Sequence, residues 1–203
     1  MHGPAAVGWL LTGLMGATGL YCLVRLVRRT ASRAERELDA SEALKGLGMA
    51  AMAVPLGLGQ QVPPAVWVVL FGVAAVWSLG VGLFPAGPAS QGHRGHHLYH
   101  GVGHLAMVYM AVVMGADAAM PGMAGMASPT VAAGVPLITG ALLVFFGGYA
   151  VLAGARLIAA PAFAGGGAPG RGSVATRLLG APELPQACRM VLGLGMFTML
   201  LSM

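Results

Sequence analysis

Three segments of the chain share a spacing of side chains that can bind transition metals. Each contains a leucine, a small residue, a methionine, two further residues and a second methionine, giving the pairs Met49/Met52, Met107/Met110 and Met196/Met199. Aligning these pairs also aligns the residues ten and seven positions before the first methionine, which are Asp39 and Glu42, His97 and His100, and Gln186 and Arg189. Imidazole is a common metal ligand, and thioethers favour soft ions such as cuprous copper. The repeat predicts three helices, each with a polar head and a methionine-bearing apolar body.

The middle copy of the repeat carries most of the histidines. Five of the six histidines fall between His93 and His104, and the spacing of His93, His97, His100, His104 and Met107 places them on one helical face. His104 lies deepest, where an ionisable side chain in a membrane indicates function. We therefore predict a metal site formed by His97, His100, His104, Met107 and Met110. A path lined by thioethers, which favour soft metal ions, would be formed by Met49, Met52, Met196 and Met199. The alternatives are solvated histidines at a helix start and methionines that only fill the core.

Composition places these helices in a lipid bilayer. Of the 203 residues, 57% are hydrophobic and only 8% are charged, whereas soluble domains carry about a quarter charged residues. So little polar sequence leaves no room for a second, soluble domain. The sequence predicts an all-α, polytopic membrane helix bundle that forms a single domain over residues 1–203, located in the cell membrane.

Six spans fit the apolar segments, since a membrane helix needs about 20 apolar residues. The second is short and contains Pro55, which predicts a tilt or a kink. The predicted spans are 5–27, 41–58, 64–85, 97–119, 131–158 and 183–203.

The basic residues predict the orientation. All eleven Lys and Arg residues fall between spans 1 and 2, 3 and 4, or 5 and 6, or at the span ends beside those connections. By the positive-inside rule these connections are cytoplasmic, so both termini lie outside. The net charge of +5 is therefore a topology signal, and nucleic acid is not an expected partner.

Three smaller features leave alternatives open. Cys22 and Cys188 are expected to be small apolar fillers, since a disulfide framework requires more cysteines and an oxidising compartment. Glu42 could form an ion pair with Arg189 at the same depth, or it could bind a metal beside the histidines. The segment 117–126, with Met120, Met123 and Met126, resembles loops that capture copper outside the cytoplasm, or it is a mobile loop.

The segment from His100 to Met110 resembles a repeated His/Met helix motif of short six-span membrane proteins from high-GC actinobacteria. That family has no established activity, and the resemblance implies only an integral membrane fold. It also implies that relatives carry histidine where this chain has Glu42 and Arg189, so two candidate ligands are replaced here.

Three functions fit the sequence. The first is binding or handling of a transition metal, above all copper, through the His/Met cluster. The second is a haem or copper redox protein, although histidines on a single helix could clamp a haem only in a homodimer. The third is an accessory subunit of a larger membrane complex, without a site. No nucleophile, dinucleotide or phosphate-loop motif is present, so whether the protein is an enzyme stays open.

Overall fold

The computed structural model describes residues 5–28, 33–54, 61–84, 94–119, 135–159 and 184–202. These residues form six helices and no strand, which confirms the predicted all-helical fold. The helices are α1 (Ala5–Arg28), α2 (Arg33–Ala53), α3 (Pro64–Leu83), α4 (Arg94–Ala119), α5 (Pro136–Ala159) and α6 (Leu184–Leu201).

Five of the six helices are long and apolar enough to span a membrane, and α2 is the exception. We predicted a second span over 41–58, but α2 begins at Arg33 and ends at Ala53. The charged residues of its first half continue the helix instead of forming a loop. It ends shortly before Pro55, because the residue preceding a proline avoids helical geometry.

Consecutive helices pair into three antiparallel hairpins, α1–α2, α3–α4 and α5–α6, which make the most extensive contacts. The first pair illustrates the direction, since Gly16 lies beside Ala50 and Gly19 lies beside Gly46. Further towards the C-terminus of α1, Arg25 reaches back to Asp39 near the start of α2. α2 also contacts α4 and α6, so it joins the three hairpins.

The odd-numbered helices carry the outer surface. Large apolar side chains such as Leu10, Val76 and Val144 are exposed on α1, α3 and α5. Such a surface is compatible with a lipid bilayer. Among the candidate spans, α4 is the most buried and α5 the least, so the repeat-bearing helices form the interior.

A close crossing of α1 and α2 depends on two glycines. A Cβ atom on Gly46 would lie 2.8 Å from the Cα of Gly19, and one on Gly19 would lie 2.8 Å from the backbone nitrogen of Leu47. The two backbones can approach this closely only without side chains at these positions. The crossing brings the polar first half of α2 against the C-terminal end of α1.

Candidate functional site

All nine residues predicted to form the metal site are buried. The structure places them on the inner faces of α2, α4 and α6, with the histidines towards one end of the bundle and the methionines further along. The buried set comprises His97, His100, His104, Met49, Met52, Met107, Met110, Met196 and Met199.

The methionine pairs of the three repeats belong to one apolar core. A seventh buried methionine, Met15 of α1, joins them, and together they form what we call the methionine cluster: Met15, Met49, Met52, Met107, Met110, Met196 and Met199. Glycines make room for these side chains, since a Cβ atom on Gly195 would collide with the Met15 thioether. One on Gly48 would collide with Phe71 and approach Met107. The thioethers of four helices therefore share one interior.

His104 lies at the edge of this cluster and is fully buried. Neither of its ring nitrogens has a hydrogen-bond partner among the described residues. Its ring stacks on Phe71, with 6.1 Å between the ring centroids. Leaving a buried polar group unpaired costs about 1–3 kcal/mol, so this imidazole is held in the core at an energetic cost.

Glu42 is the centre of a neighbouring group of polar side chains. Its carboxylate accepts a hydrogen bond from Arg189 Nε at 2.6 Å and lies 3.8 Å from His100 Nε2. The Cys22 thiol donates to its second oxygen at 3.6 Å. Of the two alternatives left open for Glu42, the structure therefore shows the ion pair with Arg189, and it brings polar side chains of the three repeat heads together.

Lys45 completes this group, although its type and position in the sequence did not indicate it. Its side chain is 2% exposed, and Nζ lies 2.6 Å from His100 Nδ1. The ammonium also lies 4.9 Å from the centroid of the Tyr99 ring, within the range of a cation–π contact. Gly103 allows this placement, since a Cβ atom there would lie 3.1 Å from the Lys45 side chain.

A second ion pair closes the outer end of the group, where Arg25 Nε lies 3.3 Å from the Asp39 carboxylate. Burial raises the pKa of Asp39 to about 6, although the neighbouring Arg25 opposes this shift. We call the whole set the charged layer: Arg25, Asp39, Glu42, Lys45, His100 and Arg189. It contains three basic side chains, those of Arg25, Lys45 and Arg189, and two carboxylates.

The charged layer has an opening beside Arg189. A cavity of about 200 Å³ is lined there by His96, Tyr149, Leu152, Ala153, Gln186 and Arg189. The cavity therefore borders the charged layer at Arg189.

Comparison with known proteins assigns the chain to a family. The family model described as "Domain of unknown function (DUF5134)" matches residues 34–203. The chain belongs to this family. No curated protein and no solved structure matches the chain.

The DUF5134 match begins in the first turn of α2 and extends over α3 to α6, so α1 lies outside it. The methionine pairs and the polar heads of the three repeats therefore lie within the matched region. From outside that region, α1 contributes Met15 to the methionine cluster and Arg25 to the charged layer.

Some residues and groups that the sequence suggested for metal binding are not found at this site. Among the described residues, no group of three or more His, Cys, Asp or Glu side chains could hold a metal ion. His93 and the methionines of the connection, Met120, Met123 and Met126, lie outside the described residues.

Proposed function

We propose that the protein binds a soft monovalent metal ion, cuprous copper, between His104 and the methionine cluster. The observation that carries this proposal is the fully buried imidazole of His104, whose two nitrogens have no hydrogen-bond partner among the described residues. A metal ion would satisfy one of them. The thioethers of the same core, above all Met107 one turn away on α4, would supply the other ligands.

The chemistry of the surroundings favours cuprous copper over harder ions. Thioether and imidazole ligands select soft and borderline ions, whereas Mg²⁺ and Ca²⁺ require oxygen ligands. The nearest described carboxylate of the charged layer, Glu42, is already paired with Arg189. A monovalent ion also suits a site near Lys45 better than a divalent one, since it adds less repulsion in a low-dielectric interior.

The buried histidines of α4 have different roles in this proposal. His100 is occupied by Lys45 at Nδ1 and faces Glu42 at Nε2, so it fixes the charged layer. His97 is buried one turn nearer the start of α4. The proposed ligands are therefore His104 with the methionines.

The test is an anaerobic titration of detergent-purified protein with Cu(I) against a chromogenic cuprous chelator. His104→Leu should remove the site, and Met107→Leu should weaken it at least tenfold, because leucine keeps the volume of methionine but lacks the thioether. Met114→Leu is the matched control, since Met114 is on the same helix and only packs against the cluster. Binding by the His104 variant that equals the wild type would contradict the proposal.

The same preparation separates the alternatives. A Soret band in the visible spectrum would replace copper by haem, which the location of all three buried histidines on α4 disfavours in a single subunit. Metal-free protein that takes up no cuprous ion would leave an accessory membrane subunit. If copper binds, efflux from copper-loaded proteoliposomes distinguishes transport from storage.

A further inference from the structure

Cys22 of α1 and Cys188 of α6 are brought together by the fold, although 165 residues lie between them in the sequence. Both are free and buried, and they form one small cluster with Ala43 of α2. Two buried thiols in one cluster at the junction of three helices are more than the two separate apolar fillers that we expected.

The groups around the thiols are charged and paired. The Cys22 thiol donates to Glu42 at 3.6 Å, and the same carboxylate accepts from Arg189, the residue that follows Cys188. Arg25, one turn after Cys22, pairs with Asp39. The thiols thus lie near a carboxylate and near two guanidinium groups that can stabilise negative charge.

We propose that Cys22 and Cys188 form a second soft-metal site, in which one cuprous ion is bound by two thiolates. Thiolates are the softest protein ligands and select Cu(I). Binding breaks two S–H bonds and forms two S–Cu bonds, so one Cu⁺ enters and two protons are released to solvent. No electron is transferred. The resulting complex carries one negative charge, which Arg25 and Arg189 stabilise.

This site is separate from the one at His104 and does not depend on it. Cys188 precedes Met196 by eight residues on α6, which corresponds to about 12 Å along a helix. The thiol pair lies towards the end of the bundle where α1 ends and α6 begins.

The experiment compares the Cu(I) capacity of four reduced, full-length proteins in detergent under anaerobic conditions. These are the wild type, Cys22→Ala/Cys188→Ala, His104→Leu, and the combined variant. We expect the cysteine variant and the His104 variant each to lose half of the wild-type capacity, and the combined variant to lose all of it. If only the cysteine variant loses capacity, the thiol site stands and the His104 proposal fails.

The His104 variant provides a measurement that needs no cysteine substitution. Its remaining copper should show an ultraviolet thiolate-to-copper charge-transfer band and sulfur-only coordination by X-ray absorption. Full capacity in the cysteine variant, or a charge-transfer band missing from copper-loaded His104→Leu protein, would overturn the proposal. So would a purified protein whose thiols form a disulfide and, once reduced, take up no cuprous ion.

Discussion

Two histidines one turn apart on α4 differ in their hydrogen bonds. His100 Nδ1 is bonded to Lys45, and its Nε2 lies 3.8 Å from Glu42 without a hydrogen bond. Neither ring nitrogen of His104 has a hydrogen-bond partner among the described residues. Both are fully buried, so burial alone does not separate their roles. A side chain that only stabilises the fold is expected to resemble His100. An unpaired imidazole lowers stability, and our proposal is that a ligand pairs with it.

This contrast predicts opposite effects of the same substitution on the metal-free protein. His104→Leu should raise the free energy of unfolding by about 1–3 kcal/mol, because it removes an unpaired buried polar group. His100→Leu should lower it by a similar amount, because it leaves the buried Lys45 ammonium without its partner. The measurement is thermal unfolding in detergent after chelation, followed by tryptophan fluorescence.

Added Cu(I) supplies the control for that comparison. Ligand binding to the folded state raises the unfolding temperature, so the wild type should be stabilised and the His104 variant should respond less. A lower unfolding temperature of metal-free His104→Leu protein would show that the imidazole serves the fold.

At the scale of the helices, the charged layer depends on the α1–α2 crossing. Gly46 faces the backbone of Gly19, whereas a Cβ atom added to Gly13 on the same α1 helix would meet no neighbour within 4 Å. Gly13, Gly16 and Gly19 follow one another every third residue along α1. They do not form one uniform packing face, because the close contact with the α2 backbone is made at Gly19 and not at Gly13.

We expect Gly46→Ala to destabilise the protein by about 1–3 kcal/mol, because the added methyl group overpacks a backbone contact. Gly13→Ala is the matched control and should be neutral or slightly stabilising, because alanine is the better helix former. Thermal unfolding of the two variants checks this, and equal unfolding temperatures would show that the crossing tolerates a wider separation.

The repeat in the sequence predicted a common level for the polar heads and another for the methionine pairs, on the condition that the three helices are neighbours. Regular spacing aligned the polar heads and the methionine pairs, and the structure brings both sets together on α2, α4 and α6. Lys45 was not found this way, because a basic residue near a predicted span end usually lies at the membrane surface. Its burial depends on Gly103 of another helix, and such a long-range fit leaves no local signal. No local signal in the sequence indicates that Cys22 and Cys188 share one buried cluster either.

At the scale of the whole molecule, the distribution of charge has two parts. At one end of the bundle, basic residues of the described helices form ion pairs or buried hydrogen bonds, as Arg25, Lys45 and Arg189 do. The apolar faces of α1, α3 and α5 point outward. This asymmetry along the bundle axis is what the positive-inside rule uses, so the end with the charged layer is expected to face the cytoplasm.

Cysteine labelling in intact cells tests that orientation. In a Cys22→Ala/Cys188→Ala background, Ser128→Cys lies in the connection between α4 and α5, and Ser173→Cys lies between α5 and α6. A membrane-impermeant maleimide should label the first variant in intact cells and the second only after the membrane is opened, because connections that carry arginine stay in the cytoplasm. The reverse pattern would place the charged layer outside, where thiols are exposed to an oxidising compartment. The cuprous-thiolate site would then have to compete with a disulfide, so the orientation also determines the chemistry available to Cys22 and Cys188.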